Sequence, residues 1–153
     1  MLTLELKIPP LAVAILTVGA MWGMYLLFPP PEVPMIFRVV AATIISMIGL
    51  GLGLAGIISF WCAKTTVNPL KPEASSALVC SGIYRFSRNP MYLGVHFVLV
   101  AWAVFLGSAW TLLGPVAFVL YINRFQILPE ERVLSARFGT AYSAYAAKAR
   151  RWL

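Results

Sequence analysis

The residues best suited to chemistry fall in two groups, Cys80–Gly94 and the pair Glu130-Glu131. The first reads CSGIYRFSRNPMYLG and sets Tyr84, Arg85, Arg88, Asn89 and Tyr92 around a tight turn that runs into an apolar stretch. Pro90 pushes Asn89 out of helical geometry and itself suits the first position of a helix. Asn89 is therefore expected to N-cap that helix, whose first free N–H groups make a site for a carboxylate or phosphate. Arg85 and Arg88 add positive charge beside it. In the second group Pro129 begins or kinks a helix whose first turn holds Glu130 and Glu131, where negative charge is favoured. Asn123, Gln126 and Glu130 share one face by their spacing, and Arg124 lies near a helix C-terminus, where a cation is favoured. The chemistry on offer is an anion-binding basic turn and a carboxylate pair able to hold a cation or take a proton. A purely structural account, in which the glutamates neutralise Arg88 or Arg124 at an interface, uses the same residues.

Other chemistries find little support. His96, the one histidine, follows Tyr92 by one turn, and no second His or Cys stands at a metal-ligand spacing. No metal site is expected. Cys62 and Cys80 lack the CxxC spacing of a redox or zinc pair. The chain has no Asp, no serine-nucleophile motif and no Walker loop, so hydrolytic triads and two-metal mechanisms lack their parts.

The elements that must position these groups are membrane helices. Of 153 residues 61% are hydrophobic and 11% charged, whereas a soluble domain carries about 25% charged residues. The net charge of +7 comes from basic residues flanking apolar runs, the pattern of a membrane protein against lipid headgroups rather than of a nucleic-acid binder. The expected fold is all-α, one multi-pass membrane domain over 1–153, with spans at 11–28, 35–62, 91–107 and 110–128. A cytoplasmic connection covers 63–90 and an amphipathic cytoplasmic tail 129–153. The first apolar run ends in Pro29-Pro30-Pro31-Glu32 instead of a small-residue cleavage site, so it reads as a retained helix. Arg38 is expected to snorkel to the interface. Gly51–Gly56 spells G-x-G-x-x-G, but no strand precedes it and no turn accompanies it. Gly49, Gly53 and Gly56 instead fall at helical spacing and allow another helix to approach closely.

Asn68-Pro69 and Lys71-Pro72 make the start of the connection rigid and extended. Leu78–Ile83 is apolar enough to lie against the bilayer surface or the helix ends. The last two spans form a hairpin turned at Gly107-Ser108, the first being only about 26 Å long. In the tail Leu134, Phe138, Tyr142, Tyr145, Ala149 and Trp152 make one apolar stripe, and Gly139-Thr140 divides it into two short helices. With both termini inside, eleven of the twelve Lys and Arg face the cytoplasm, leaving Arg38 outside. The basic turn and the glutamate pair then share one side of the membrane, at adjoining ends of the hairpin.

With these motifs in order, the chain resembles the isoprenylcysteine carboxyl methyltransferase and phospholipid methyltransferase family of integral membrane enzymes. The resemblance is carried by Asn68-Pro69-x-Lys71-Pro72 and by Leu78-Val79-x-x-Gly82-x-Tyr84-x-x-x-Arg88-Asn89-Pro90-x-Tyr92-x-Gly94. It continues in Glu130-Glu131-x-x-Leu134-x-x-x-Phe138-Gly139-x-x-Tyr142-x-x-Tyr145 and closes with Arg150-Arg151-Trp152. Many relatives carry Arg-His-Pro where this chain has Arg88-Asn89-Pro90. The resemblance implies S-adenosylmethionine bound at the cytoplasmic ends of the last two helices. It implies cofactor contacts from Tyr84, Asn89, Pro90, Tyr92, Leu93, His96, Glu130 and Tyr142, and catalytic roles for Arg88, Arg124 and Glu131. The tail beyond Gly139 would fold back as a lid. The implied acceptor is lipophilic and enters from the bilayer, foremost a carboxylate of the isoprenylcysteine type and alternatively a phospholipid amine. A nicotinamide-dependent membrane reductase and a non-enzymatic transporter or assembly partner stay open, as does the oligomeric state.

Overall fold

The helices begin and end where proline and glycine dictate. The structure, a computed structural model, describes residues 5–30, 33–63 and 78–153. Helix α1 spans Pro10–Leu27 and α3 spans Pro90–Leu106, each with proline in its first turn, where the missing N–H costs nothing. Helix α2 runs from Met35 to Cys62. Helix α3 stops at Gly107, whose φ of 77° is the left-handed cap that closes many helices. The chain then forms one continuous helical rod from Ala109 to Phe138. The rod contains a 3-10 turn at Ala109–Leu112, α4 at Leu113–Ile122, a π turn at Asn123–Ile127 and α5 at Leu128–Phe138. Gly139, at φ 51°, breaks it, and the short α6 follows at Thr140–Ala146. Among the described residues there is no strand, only an isolated parallel bridge between Ser87 and Arg150.

The protein is all-α, and its architecture is that of a membrane bundle. Helices α1, α2 and the 109–138 rod are long and apolar enough to cross a membrane, and α3 is a shorter apolar helix. The shorter helix is the central one. Leu99, Ala101, Ala103 and Leu106 of α3 are buried, whereas Leu16 of α1 is 71% exposed and Trp61 of α2 70%. Outward faces this rich in large apolar side chains suit lipid rather than water.

Glycine sets the α2–α3 crossing. A Cβ built on Gly94 of α3 would lie 2.5 Å from the Gly49 carbonyl oxygen and 2.9 Å from the Gly53 nitrogen. The two backbones touch, as small-residue membrane interfaces allow. Gly56 faces Met91 and Pro90. The G-x-G-x-x-G run lies within α2, but its glycines differ, because a Cβ at Gly51 or Gly53 would meet nothing within 4 Å. On the far side of α3, Gly114 of α4 packs on Met21 and Thr17 of α1.

Several expectations need correction. The fourth helix does not end at Leu128. Pro129 continues the rod, because the carbonyl that an α-helical residue 129 would bond, that of Phe125, accepts the Leu6 N–H at 3.1 Å instead. The π turn just before Pro129 widens the helix and accommodates its ring. Arg38 does not merely snorkel, since its Nη1 donates to the carbonyls of Phe105 and Leu106 at 3.3 and 3.0 Å and so caps α3. That contact sets Arg38 at the Gly107 end of the bundle. The basic turn, the tail and Glu5 gather at the other end. The expected turns at Asn68-Pro69 and Lys71-Pro72 lie outside the described residues. Where the connection resumes, Val79 is buried and the 3-10 turn Gly82–Arg85 packs on the end of α2, with Gly82 against Ser59.

Candidate functional site

The turn before α3, the start of α5 and the C-terminal tail meet at one end of the bundle. Arg88 is the hub. Its Nη2 donates to Glu131 Oε1 at 2.8 Å, and its Nη1 donates to the carbonyls of Ala146 and Ala149 at 2.8 and 3.1 Å. The guanidinium fork therefore ties the carboxylate of α5 to the open carbonyl end of α6. Arg151 grips Glu131 from the other side, Nε to Oε1 at 3.1 Å and Nη2 to Oε2 at 2.7 Å. That bidentate hydrogen bonding raises the Arg151 pKa. Backbone bonds from Arg88 N–H to the Arg150 carbonyl and from Arg150 N–H to the Phe86 carbonyl, at 2.8 and 3.3 Å, complete the seam.

Glu130 stands in different company. The Tyr92 hydroxyl and the Gln126 amide both donate to its Oε1, each at 2.6 Å. Neither engages its second oxygen, and no arginine pairs with it among the described ion pairs. Two adjacent glutamates thus differ, one held between two guanidinium groups and one held by neutral donors.

Asn89 is buried, but its side chain does not cap α3. Its Nδ2 donates to the Arg151 carbonyl at 2.9 Å, because the tail lies close enough to compete for it. Pro90 and Leu93 are buried in the first turn of α3, where the Leu93 N–H donates to the Asn89 carbonyl at 3.0 Å. His96 faces the Trp152 ring edge-on, centroids 6.4 Å apart, and the Trp152 indole N–H donates to Asn123 Oδ1 at 3.1 Å. Tyr142 is buried on α6, and its phenol is pushed up to about 12, first by burial and then by the Glu131 charge. Tyr84 lies edge-on to Phe60 of α2, and its carbonyl accepts the Tyr145 hydroxyl at 2.9 Å. Burial raises the pKa of Tyr84 and Tyr145 alike.

Arg124 does not join the site. It projects outward, 48% exposed, and pairs with Glu5 at 3.3 Å, while Arg132 pairs with the same Glu5 at 2.6 Å. The N-terminal segment supplies its partner, so Arg124 clasps that segment to the rod. Gln126 and Arg151 hold the two glutamates, a role the sequence did not assign to either. Gln126 shares a helical face with Glu130, and Arg151 sits next to the end of the tail's apolar stripe, but neither signal says which group it holds. Among the described residues no cluster of His, Cys, Asp or Glu is suited to a metal.

A helical membrane bundle with charged and aromatic side chains converging at one end defines the class. The chain matches the phospholipid methyltransferase family over residues 37–141 and belongs to it, which makes it a membrane methyltransferase. It is also similar to an uncharacterized protein of Haemophilus influenzae, 46% identical over 63 residues, the whole of that protein and 41% of this chain. No solved structure matches the chain.

Methyltransferases generally draw the methyl group from S-adenosylmethionine, and the side chains here suit that molecule. Two buried nitrogens at the site, Arg88 Nε and His96 Nδ1, have no hydrogen-bond partner. Buried polar atoms are rarely left so, and a polar ligand would satisfy them. The ring faces of Tyr92 and Tyr142 suit its sulfonium.

Proposed function

We propose that the protein is an S-adenosylmethionine-dependent methyltransferase acting on an amine of a membrane lipid at the cytoplasmic face. One observation carries the amine: of the two adjacent glutamates, Glu131 is saturated by Arg88 and Arg151, whereas Glu130 meets only neutral donors. A carboxylate acceptor needs an arginine to orient it, and the two arginines to which the resemblance gives catalytic roles are committed, Arg88 to Glu131 and Arg124 to Glu5. An amine needs a carboxylate that can take its proton, and Glu130 has that capacity. The family's own description, phospholipid methyltransferase, points the same way.

When bound, S-adenosylmethionine supplies an electrophilic methyl group on a sulfonium. The residues that would hold it are Arg88 through Nε, His96 through Nδ1, and the rings of Tyr92 and Tyr142. Glu130 accepts the proton that an ammonium must lose before its nitrogen can act as a nucleophile, and Gln126 and Tyr92 orient the carboxylate. The tail, closed by Arg88 and Arg151, keeps water out and narrows the range of approach.

The test uses purified protein in nanodiscs of phosphatidylcholine doped with phosphatidylethanolamine, with methyl-labelled cofactor. The expected result is label in a base-stable N-methyl headgroup, abolished in Glu130→Gln, with cofactor binding retained by calorimetry. Absence of saturable cofactor binding to the wild type would sink the reading at its first step. Label released by base as methanol from a prenylated cysteine would replace the amine by a carboxylate.

A further inference from the structure

Helices α1 and α2 both pack on α3 rather than on each other, and a cleft of about 400 Å³ opens between them towards the lipid. Its volume falls within the range of ligand pockets, about 300–1,000 Å³. Leu11 and Ile15 form one wall, Gly53 and Leu54 the other, and Met91 and Val98 part of the floor. The lining is almost wholly carbon, so a headgroup finds no partner in it and a hydrocarbon chain does. The cleft extends to Met91 in the first turn of α3, the residue next to Tyr92, whose hydroxyl is bonded to Glu130 on another face of that turn.

We propose that this cleft holds one acyl chain of the acceptor lipid and that Gly53 sets its width. The inference rests on the lipid-amine reading above and names the part of the substrate that fixes its register. The glycines of α2 divide by task. Gly49 and Gly56 are filled by α3, with the Phe97 Cβ and Met91 Cγ at 2.9 and 2.6 Å from a built Cβ. Gly53 touches α3 through its backbone while its side-chain direction is open and lines the cleft. The walls are exposed, Leu11 by 66%, Ile15 by 63% and Leu54 by 58%, so an acyl chain enters sideways without crossing a polar layer. A chain held in the cleft runs from the bilayer interior to Met91 in the first turn of α3, at the end of the bundle that carries Glu130.

Gly51 supplies the control. It is equally open to a side chain and lies on the same helix, but it does not line the cleft. The full chain is placed in phosphatidylcholine nanodiscs containing phosphatidylethanolamine with a mid-chain diazirine, photolysed, and mapped by peptide. Labelling should concentrate on Leu11, Ile15 and Leu54 and be displaced by unlabelled phosphatidylethanolamine. It should fall by about tenfold or more in Gly53→Leu, which fills the space of several methylenes, and stay unchanged in Gly51→Leu. Should Gly53→Leu fail to fold, Ile15→Trp narrows the cleft from the opposite wall and carries the same expectation. Uniform label over the outer faces of α1 and α2 means bulk lipid only and overturns the proposal. So does equal labelling of Gly53→Leu and wild type, or cross-linking of the cleft to a second copy of the chain. Cofactor binding, measured by calorimetry on the same samples, separates the two readings. Its absence from the wild type refutes the methyltransferase reading, whereas its presence in a Gly53→Leu protein that labels normally refutes only the cleft.

Discussion

Replacing Arg88 by alanine tests how the site is held together. The Arg88 side chain is 15% exposed and that of Glu131 18%, so water compensates poorly for lost bonds. The change removes the 2.8 Å bond to Glu131 and the bonds to Ala146 and Ala149, at 2.8 and 3.1 Å. A hydrogen bond to a charged group contributes about 1.5–3 kcal/mol. Arg151 still holds Glu131, and the α6 carbonyls rehydrate if the tail lifts, so the net loss should be about 3 kcal/mol. At 1.4 kcal/mol per decade that shifts the docking of the tail by about a hundredfold. Hydrogen–deuterium exchange in detergent micelles reads this directly. The Arg150 amide, which donates to the Phe86 carbonyl, should exchange about a hundredfold faster, while amides in the middle of α3 keep their rates. Arg88→Lys should fall between, because an ammonium can meet Glu131 but lacks the planar fork that reaches the carbonyls as well. The reasoning is refuted if tail exchange is unchanged, or if the α3 amides accelerate as much as those of the tail.

Two further outcomes follow from the same structure. Deleting residues 1–8 leaves the Phe125 carbonyl without its Leu6 partner and should lower thermal stability by about 1–3 kcal/mol; Pro129→Ala, which restores an N–H one turn on, should recover part of it, and equal melting of the full and shortened chains would count against the strap. For Tyr142 the folded phenol ionises at about 12 against about 10 for a free phenol. Folding thus favours the protonated form, giving stability that is fully present below pH 10 and lost as pH rises from 10 to 12; alkaline melting curves of Tyr142→Phe should lack that component.

Much of this was legible in the residue order because local rules set it. Pro90 and Gly107 bound α3, Gly139 divides the tail, and the stripe from Leu134 to Trp152 turns Tyr142 and Ala149 inward. The meeting of Arg88 with Glu131 followed from their adjoining positions on a closed hairpin. What stayed illegible depends on contacts between distant segments. Asn89 sits where an N-cap belongs, yet its amide serves the Arg151 carbonyl, 62 residues along the chain. Arg124 falls next to Asn123, but its partner Glu5 comes from the N-terminal segment, 119 residues away. No local pattern encodes either choice.

The π turn at Asn123–Ile127 explains why the two glutamates part company. It takes one residue more than an α-helical turn, and each residue of an α-helix advances the rotation by about 100°. An α-helical path through the same residues would shift the register of α5 by about one position. Pro129 would then face Tyr92, and Glu130 would stand where Glu131 now meets Arg88 and Arg151. The site would keep its salt bridges and lose its one carboxylate held by neutral donors alone. The features that favour the π turn lie in and around it: Pro129, which cannot donate to Phe125, and the Leu6 N–H, which takes its place. Leu6 pays for that bond with a left-handed backbone, φ 56°, a conformation costly for a branched residue. The ion pairs of Glu5 with Arg124 and Arg132 hold it there. A strap at the start of the chain thereby helps decide which of two neighbouring carboxylates is left available for proton transfer.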